Sequence, residues 1–165
     1  MIQNKVAESE LVTLDLKSFL PNEQPAYFDI KDFLYRGLIL KEKEFRQALN
    51  EYNWSVYKDK TVLLFCSADA IVPVWAYMLV MVNLKDIAKA IFFENEENWR
   101  QRSITATIES MDVSTFTDRR VVIKGCGEAH IPESAYVAIT QKLLPVVKSI
   151  MYGEPCSTVP VYKKK

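Results

Sequence analysis

The sequence predicts an α/β domain built on a mainly parallel sheet with helices on both faces. Three observations predict it. Short apolar runs without alternation, at 61–66, 89–93 and 120–125, suit strands covered on both sides. Longer segments between them carry apolar residues at helical spacing. The order strand, helix, strand, helix, strand, helix is that of parallel strands joined by right-handed crossovers.

Taken in order, residues 11–20 alternate apolar and polar from Val12 to Lys17, which predicts a half-exposed strand. Residues 21–25 form a proline-bounded loop, and 26–30 a second short strand. These first forty residues stand outside the repeating pattern and are predicted to be an antiparallel addition at one edge. Residues 41–52 predict a helix with Phe45, Leu49 and Tyr52 on one face. After the 61–66 strand, Asp69 is placed to cap the next helix, with Pro73 in its first turn. Almost every residue from Val74 to Val82 is apolar, so this helix is expected to be the most buried, and Met78→Asp to unfold the protein. Residues 95–110 predict a helix, and 120–125 a strand ending at Gly125-Cys126-Gly127. Pro132 opens a last helix, expected to run to about Tyr152 with a kink at Pro145 and a stop at Gly153. The tail beyond, with two prolines, reads as irregular or as an edge strand. No internal repeat or domain boundary stands out, so residues 1–165 read as one domain.

Composition narrows the function. Apolar residues make up 49% of the chain and charged residues 25%, the balance of a folded domain. Lys plus Arg equals Asp plus Glu at 21 each, which argues against binding a nucleic-acid backbone. The first ten residues have no apolar leader-like core, and the run ending at Val82 is too short to span a membrane. The expectation is a cytoplasmic protein with no membrane and no nucleic-acid partner. Its three cysteines are then expected to be reduced.

All three cysteines sit at element ends. Cys66 follows one buried strand, Cys126 follows another between two glycines, and Cys156 follows the last predicted helix. Parallel strands of one sheet deliver their carboxyl ends to one edge, which would bring Cys66 and Cys126 together. Cys156 would join them only if the last helix broke early. Three thiolates suit zinc or an iron–sulfur cluster, with Asp69 or His130 as a fourth ligand. Against this, a cysteine ending a buried strand is commonly packing, and no close-spaced cysteine pair is present. Cys126 is also a candidate catalytic nucleophile, its thiolate favoured by Lys124 and a nearby helix start, with Asp69 or a glutamate such as Glu94 or Glu128 as acid–base partner. A third reading is a non-catalytic scaffold that binds a protein partner through Trp75, Tyr77 and Met78.

Three stretches carry a resemblance: Cys66-Ser-Ala-Asp-Ala-Ile-Val-Pro-Val-Trp-Ala-Tyr, Val122-Ile-Lys-Gly-Cys-Gly, and Lys148-Ser-Ile-Met-Tyr-Gly-Glu-Pro-Cys-Ser-Thr-Val-Pro-Val-Tyr-Lys. With Leu11-Val-Thr-Leu-Asp-Leu and Phe28-Asp-Ile-Lys-Asp, the chain resembles an uncharacterised domain-of-unknown-function family typical of Bacteroidetes. The resemblance implies a single-domain cytosolic bacterial protein and brings no activity and no site residues. It also implies a gene neighbourhood near iron–sulfur assembly genes, which favours a cluster over zinc.

Overall fold

The structure is a computed structural model that describes residues 11–124, 127, 130–154 and 157–165. In chain order its elements are β1 (Leu11–Asp15), β2 (Ala26–Asp29), α1 (Glu42–Glu51), β3 (Thr61–Phe65), α2 (Val74–Leu84), β4 (Ala90–Phe92), α3 (Glu96–Ser110), β5 (Arg120–Lys124), α4 (Glu133–Leu143), β6 (Ser149–Glu154) and β7 (Ser157–Lys163). The predicted class, α/β with mainly parallel strands, is the class found. The strands form two sheets, β2-β3-β4 and β1-β5-β6-β7. The runs at 61–66 and 120–125 therefore belong to different sheets, not to one.

The chain divides into two compact units. Met1–Pro21 and Arg100–Lys165 make a split unit, and Asn22–Trp99 an inserted unit between its two parts. In the inserted unit, β2 pairs parallel to β3 and β3 parallel to β4. Phe28 and Leu64 stand opposite each other, and with Val62 they meet Phe45 and Leu49 of α1 and Ala76, Val80 and Leu84 of α2 in one core. Both helices therefore cover the same face of this sheet. Phe28 stacks on Phe33 and Trp54, and the Tyr57 hydroxyl donates to the Tyr27 carbonyl at 3.0 Å, so much of this core is aromatic.

In the split unit, β1 pairs parallel to β5 and β5 parallel to β6, while β7 returns antiparallel on β6. Val121, Ile123 and Ile150 pack with Ile104 and Ile108 of α3 and with Ala135, Ile139 and Leu143 of α4. Again both helices share one face, so helices on both faces of a sheet is corrected to one helical face per unit. The antiparallel edge lies at the C-terminal end, at β7, not at the N-terminal end; β1 and β2 are parallel strands. Alternation of apolar residues marks a half-covered strand and does not encode its direction.

The last helix also ends earlier than predicted. α4 stops at Leu143, before Pro145, and the segment expected to continue it is β6. Gly153 adopts φ +124° in that strand, and a Cβ there would lie 2.5 Å from the Ser157 carbonyl oxygen, so the turn into β7 requires glycine.

An internal duplication, missed in the sequence, relates the two units. At a constant offset of 59 residues, β3 matches β5 and α2 matches α4 end to end. Phe45 and Leu49 match Ile104 and Ile108, Ala76, Val80 and Leu84 match Ala135, Ile139 and Leu143, and all are buried. Pro73 and Pro132 precede the matched helices as their N-caps. Asp59 and Asp118 both adopt positive φ, 58° and 56°, and donate their N–H to Ile87 and Val146 carbonyls. Before the offset region, Asp15-Leu-Lys-Ser-Phe-Leu matches Asp29-Ile-Lys-Asp-Phe-Leu, where each aspartate accepts the N–H two residues on at 3.0 Å. β7 has no counterpart in the inserted unit.

α2 is not buried around its circumference. Val80 is 0% exposed while Met78 is 66% exposed. We expect Val80→Asp to abolish folding, because it strands a charge in the core. Met78→Asp is expected to keep native circular dichroism and to cost the isolated fold at most about 1 kcal/mol, as solvent-facing changes do. Thermal unfolding of the two variants side by side checks this.

Candidate functional site

Parallel pairing brings the carboxyl ends of β2 and β3 to one edge of the inserted unit's sheet. Asp29 ends β2, and Cys66 and Ser67 follow β3. Asp29 Oδ1 accepts the Lys31 and Ser67 backbone N–H groups, each at 3.0 Å, and Oδ2 accepts the Ser67 hydroxyl at 2.5 Å. Lys31 Nζ lies 3.8 Å from Oδ2. Burial works against the charged carboxylate, but the Ser67 bonds, the Lys31 N–H and the Lys31 ammonium outweigh it and hold Asp29 below its ordinary range. The half-buried Cys66 thiol donates to the Ala68 carbonyl at 3.7 Å. The Tyr77 hydroxyl is pushed up, first by burial and then by Cys66 and Asp29 nearby.

Beside this edge lies the open side of α2. Helical periodicity turns Ala76, Val80 and Leu84 to the core and leaves Val74, Met78, Met81 and Val82 facing outward. Phe93, just past β4, meets Tyr77 edge to face with ring centroids 4.8 Å apart. Together with Leu64 and Ile91 these side chains line an apolar groove of about 630 Å³. Val74 is 77% exposed, Met81 46%, Val82 64% and Phe93 70%.

The duplicated fold repeats this groove in the split unit. Tyr136 meets Tyr152 edge to face at 5.6 Å, and with Ile123, Val137, Thr140 and Gln141 they line a groove of about 540 Å³. Its lining is apolar as well, although Thr140 and Gln141 take part in it, and Val161 of β7 borders it.

The residues singled out from the sequence distribute as follows. Asp69 is exposed and does not cap α2; Pro73 holds the N-cap position, with no side-chain cap bond. His130 is exposed. Cys66 belongs to the inserted unit's sheet, so it does not end a strand of the sheet that contains β5. Cys126, Cys156 and Glu128 lie outside the described residues. Among the described residues, no three His, Cys, Asp or Glu side chains gather as a metal set. Among them, too, no helix is long and apolar enough to cross a membrane. Sequence reasoning missed the Asp29–Ser67 pair; of the α2 face it named Tyr77 and Met78, which line the groove, but not Val74, Met81, Val82 or Phe93. The shared hexapeptides beginning at Asp15 and Asp29 were the available signal for the first.

Fold and site together define a duplicated α/β protein, with a second unit inserted into the first and an uncovered apolar helix face on the inserted one. A family model described as a protein of unknown function (DUF2480) matches residues 1–164, and the chain belongs to that family. No curated protein and no solved structure matches it.

Asp29 titrates below its unfolded-state value, so its contribution is complete above about pH 4 and is lost as pH falls through the depressed folded value. Asp29→Asn is therefore expected to cost about 1–2 kcal/mol at pH 7, and the gap to the wild type to close towards pH 2. Denaturant titrations at the two pH values measure it. An equal gap at both would refute the assignment.

Proposed function

We propose that the protein is a non-catalytic scaffold that docks a protein partner on the open face of α2. The observation that carries this reading is the contiguous apolar groove of Val74, Met78, Met81, Val82 and Phe93, most of them more than half exposed. Single exposed apolar side chains are ordinary, but a contiguous apolar groove of this size marks an interaction surface. Two flexible methionines suit it to a partner's side chains.

A photo-crosslinking amino acid at Met78, introduced in cells that carry the gene natively, is expected to give a discrete adduct. The same amino acid at exposed Glu51, on α1, is expected to give none. Absence of any adduct from Met78 and from Val82 would remove the reading.

A thiol-ligated metal or iron–sulfur site is the second reading, resting on Cys126 and Cys156. What supports it is the parallel pairing of β5 with β6, whose ends Lys124 and Glu154 form an ion pair at 3.3 Å. Each cysteine follows two residues later in sequence. Anaerobic purification with metal and sulfide analysis is expected to find stoichiometric metal that Cys126→Ser and Cys156→Ser each abolish. A metal-free wild type would overturn this reading.

A further inference from the structure

We infer that the partner on the α2 face is a second copy of this chain, the two copies meeting α2 against α2 about a twofold axis. The inference rests on the docking reading above and names its partner. Its first support is the duplication, which acts as an internal control. At the positions of Val74, Met81 and Val82, the split unit carries Glu133, Thr140 and Gln141 on the same helix of the same fold, while Met78 is matched by Val137, itself 68% exposed. The fold therefore does not require apolar residues at positions 74, 81 and 82, which leaves them free to serve a contact outside the unit's own core.

The second support is area. Val74, Met78, Met81, Val82 and Phe93 are 46–89% open if Ile71, one turn ahead of α2, is counted with them. At roughly 150–250 Å² for an aromatic side chain, and less for valine, isoleucine or methionine, the open surface of these six is on the order of several hundred Å². One partner of a standard stable interface contributes about 800 Å².

The third support is chemical character. No charged side chain lines the groove. Permanent homodimer interfaces are the strongly apolar class, whereas partners that come and go keep near-average surface polarity. An apolar face matches itself under a twofold operation without any complementary charge pattern. The formal net charge of zero sets no long-range repulsion between two copies. Val74, Met78 and Val82 also form one ridge at four-residue spacing. Two such ridges interlock at a crossing angle of about −50°, which puts Met78 near the axis.

Sedimentation velocity of the full chain between about 1 and 100 μM tests the inference. The wild type is expected at twice 19.0 kDa. The triple variant Val74→Glu, Met81→Thr, Val82→Gln takes the residues of the split unit. It is expected to keep its circular dichroism and to dimerise at least about 100-fold more weakly. Val82→Gln alone, the mildest change, is expected to weaken dimerisation by about tenfold and serves if the triple variant fails to fold. A wild type that stays at 19.0 kDa, or variants that dimerise as tightly as the wild type, would overturn the inference. The Met78 crosslink separates this failure from that of the docking reading. An adduct with a different protein leaves docking standing and removes the homodimer; no adduct and no dimer removes both.

Discussion

The rest of the structure depends on three consecutive buried residues in the middle of one parallel strand. These are Val62-Leu63-Leu64 in the inserted unit and Val121-Val122-Ile123 in the split unit, each no more than 3% exposed. Their strands have neighbours on both sides, so their backbone groups have ladders to join. Alternate side chains, Val62 and Leu64 or Val121 and Ile123, receive two helices, and the residue between points to the opposite face and is buried as well. Burial on both faces is what forces an unbroken apolar run. It also fixes where the neighbouring strands end, and so where Asp29, Cys66 and Ser67 are presented.

The duplication sorts the requirements of the fold from those of the surface. Matched core positions exchange one apolar side chain for another, Phe45 for Ile104 or Val80 for Ile139, and remain buried. Matched backbone positions keep the chemistry that the backbone needs, proline before α2 and α4 and aspartate at the positive φ of positions 59 and 118. Asn53 and Asp112 each accept the N–H of a serine two residues on, Ser55 and Ser114. Where the halves disagree, at Val74, Met81 and Val82 against Glu133, Thr140 and Gln141 on the outward side of α2 and α4, the fold accepts either character.

The parts of the fold legible in the sequence were those set by local burial: the strands at 61–65 and 120–124, helix α1, and helix α3 despite its threonines. Strand direction was not legible, because pairing is a long-range choice that alternation does not record. The Val146, Val147 and Ile150 pattern fits either a helix or a strand, and only the tertiary pairing with β5 decides for β6. An apolar helix reads the same whether all its sides are covered or one is left open, so the sequence alone predicts α2 to be the most buried. The duplication was hidden by the insertion. The matching hexapeptides lie 14 residues apart and the rest of the repeat 59 apart, so no single offset aligns both. The Asp29–Ser67 bond joins residues 38 apart in sequence, with no local signal between them.

The same comparison bears on the cysteines. The expectation that Cys66 and Cys126 meet was argued from one shared sheet, whereas β3 and β5 are each the second strand of different sheets. At the 59-residue offset, the sequence counterpart of Ser67 is Cys126, and the counterpart of Cys66 is Gly125. In the inserted unit that position supplies two hydrogen bonds to Asp29, whose counterpart in the split unit is Asp15. A serine hydroxyl fills the role well, and a thiol is a weaker donor of similar size. A thiol can also act as a metal ligand or nucleophile where a serine hydroxyl does so poorly, and this is the chemical ground of the second functional reading.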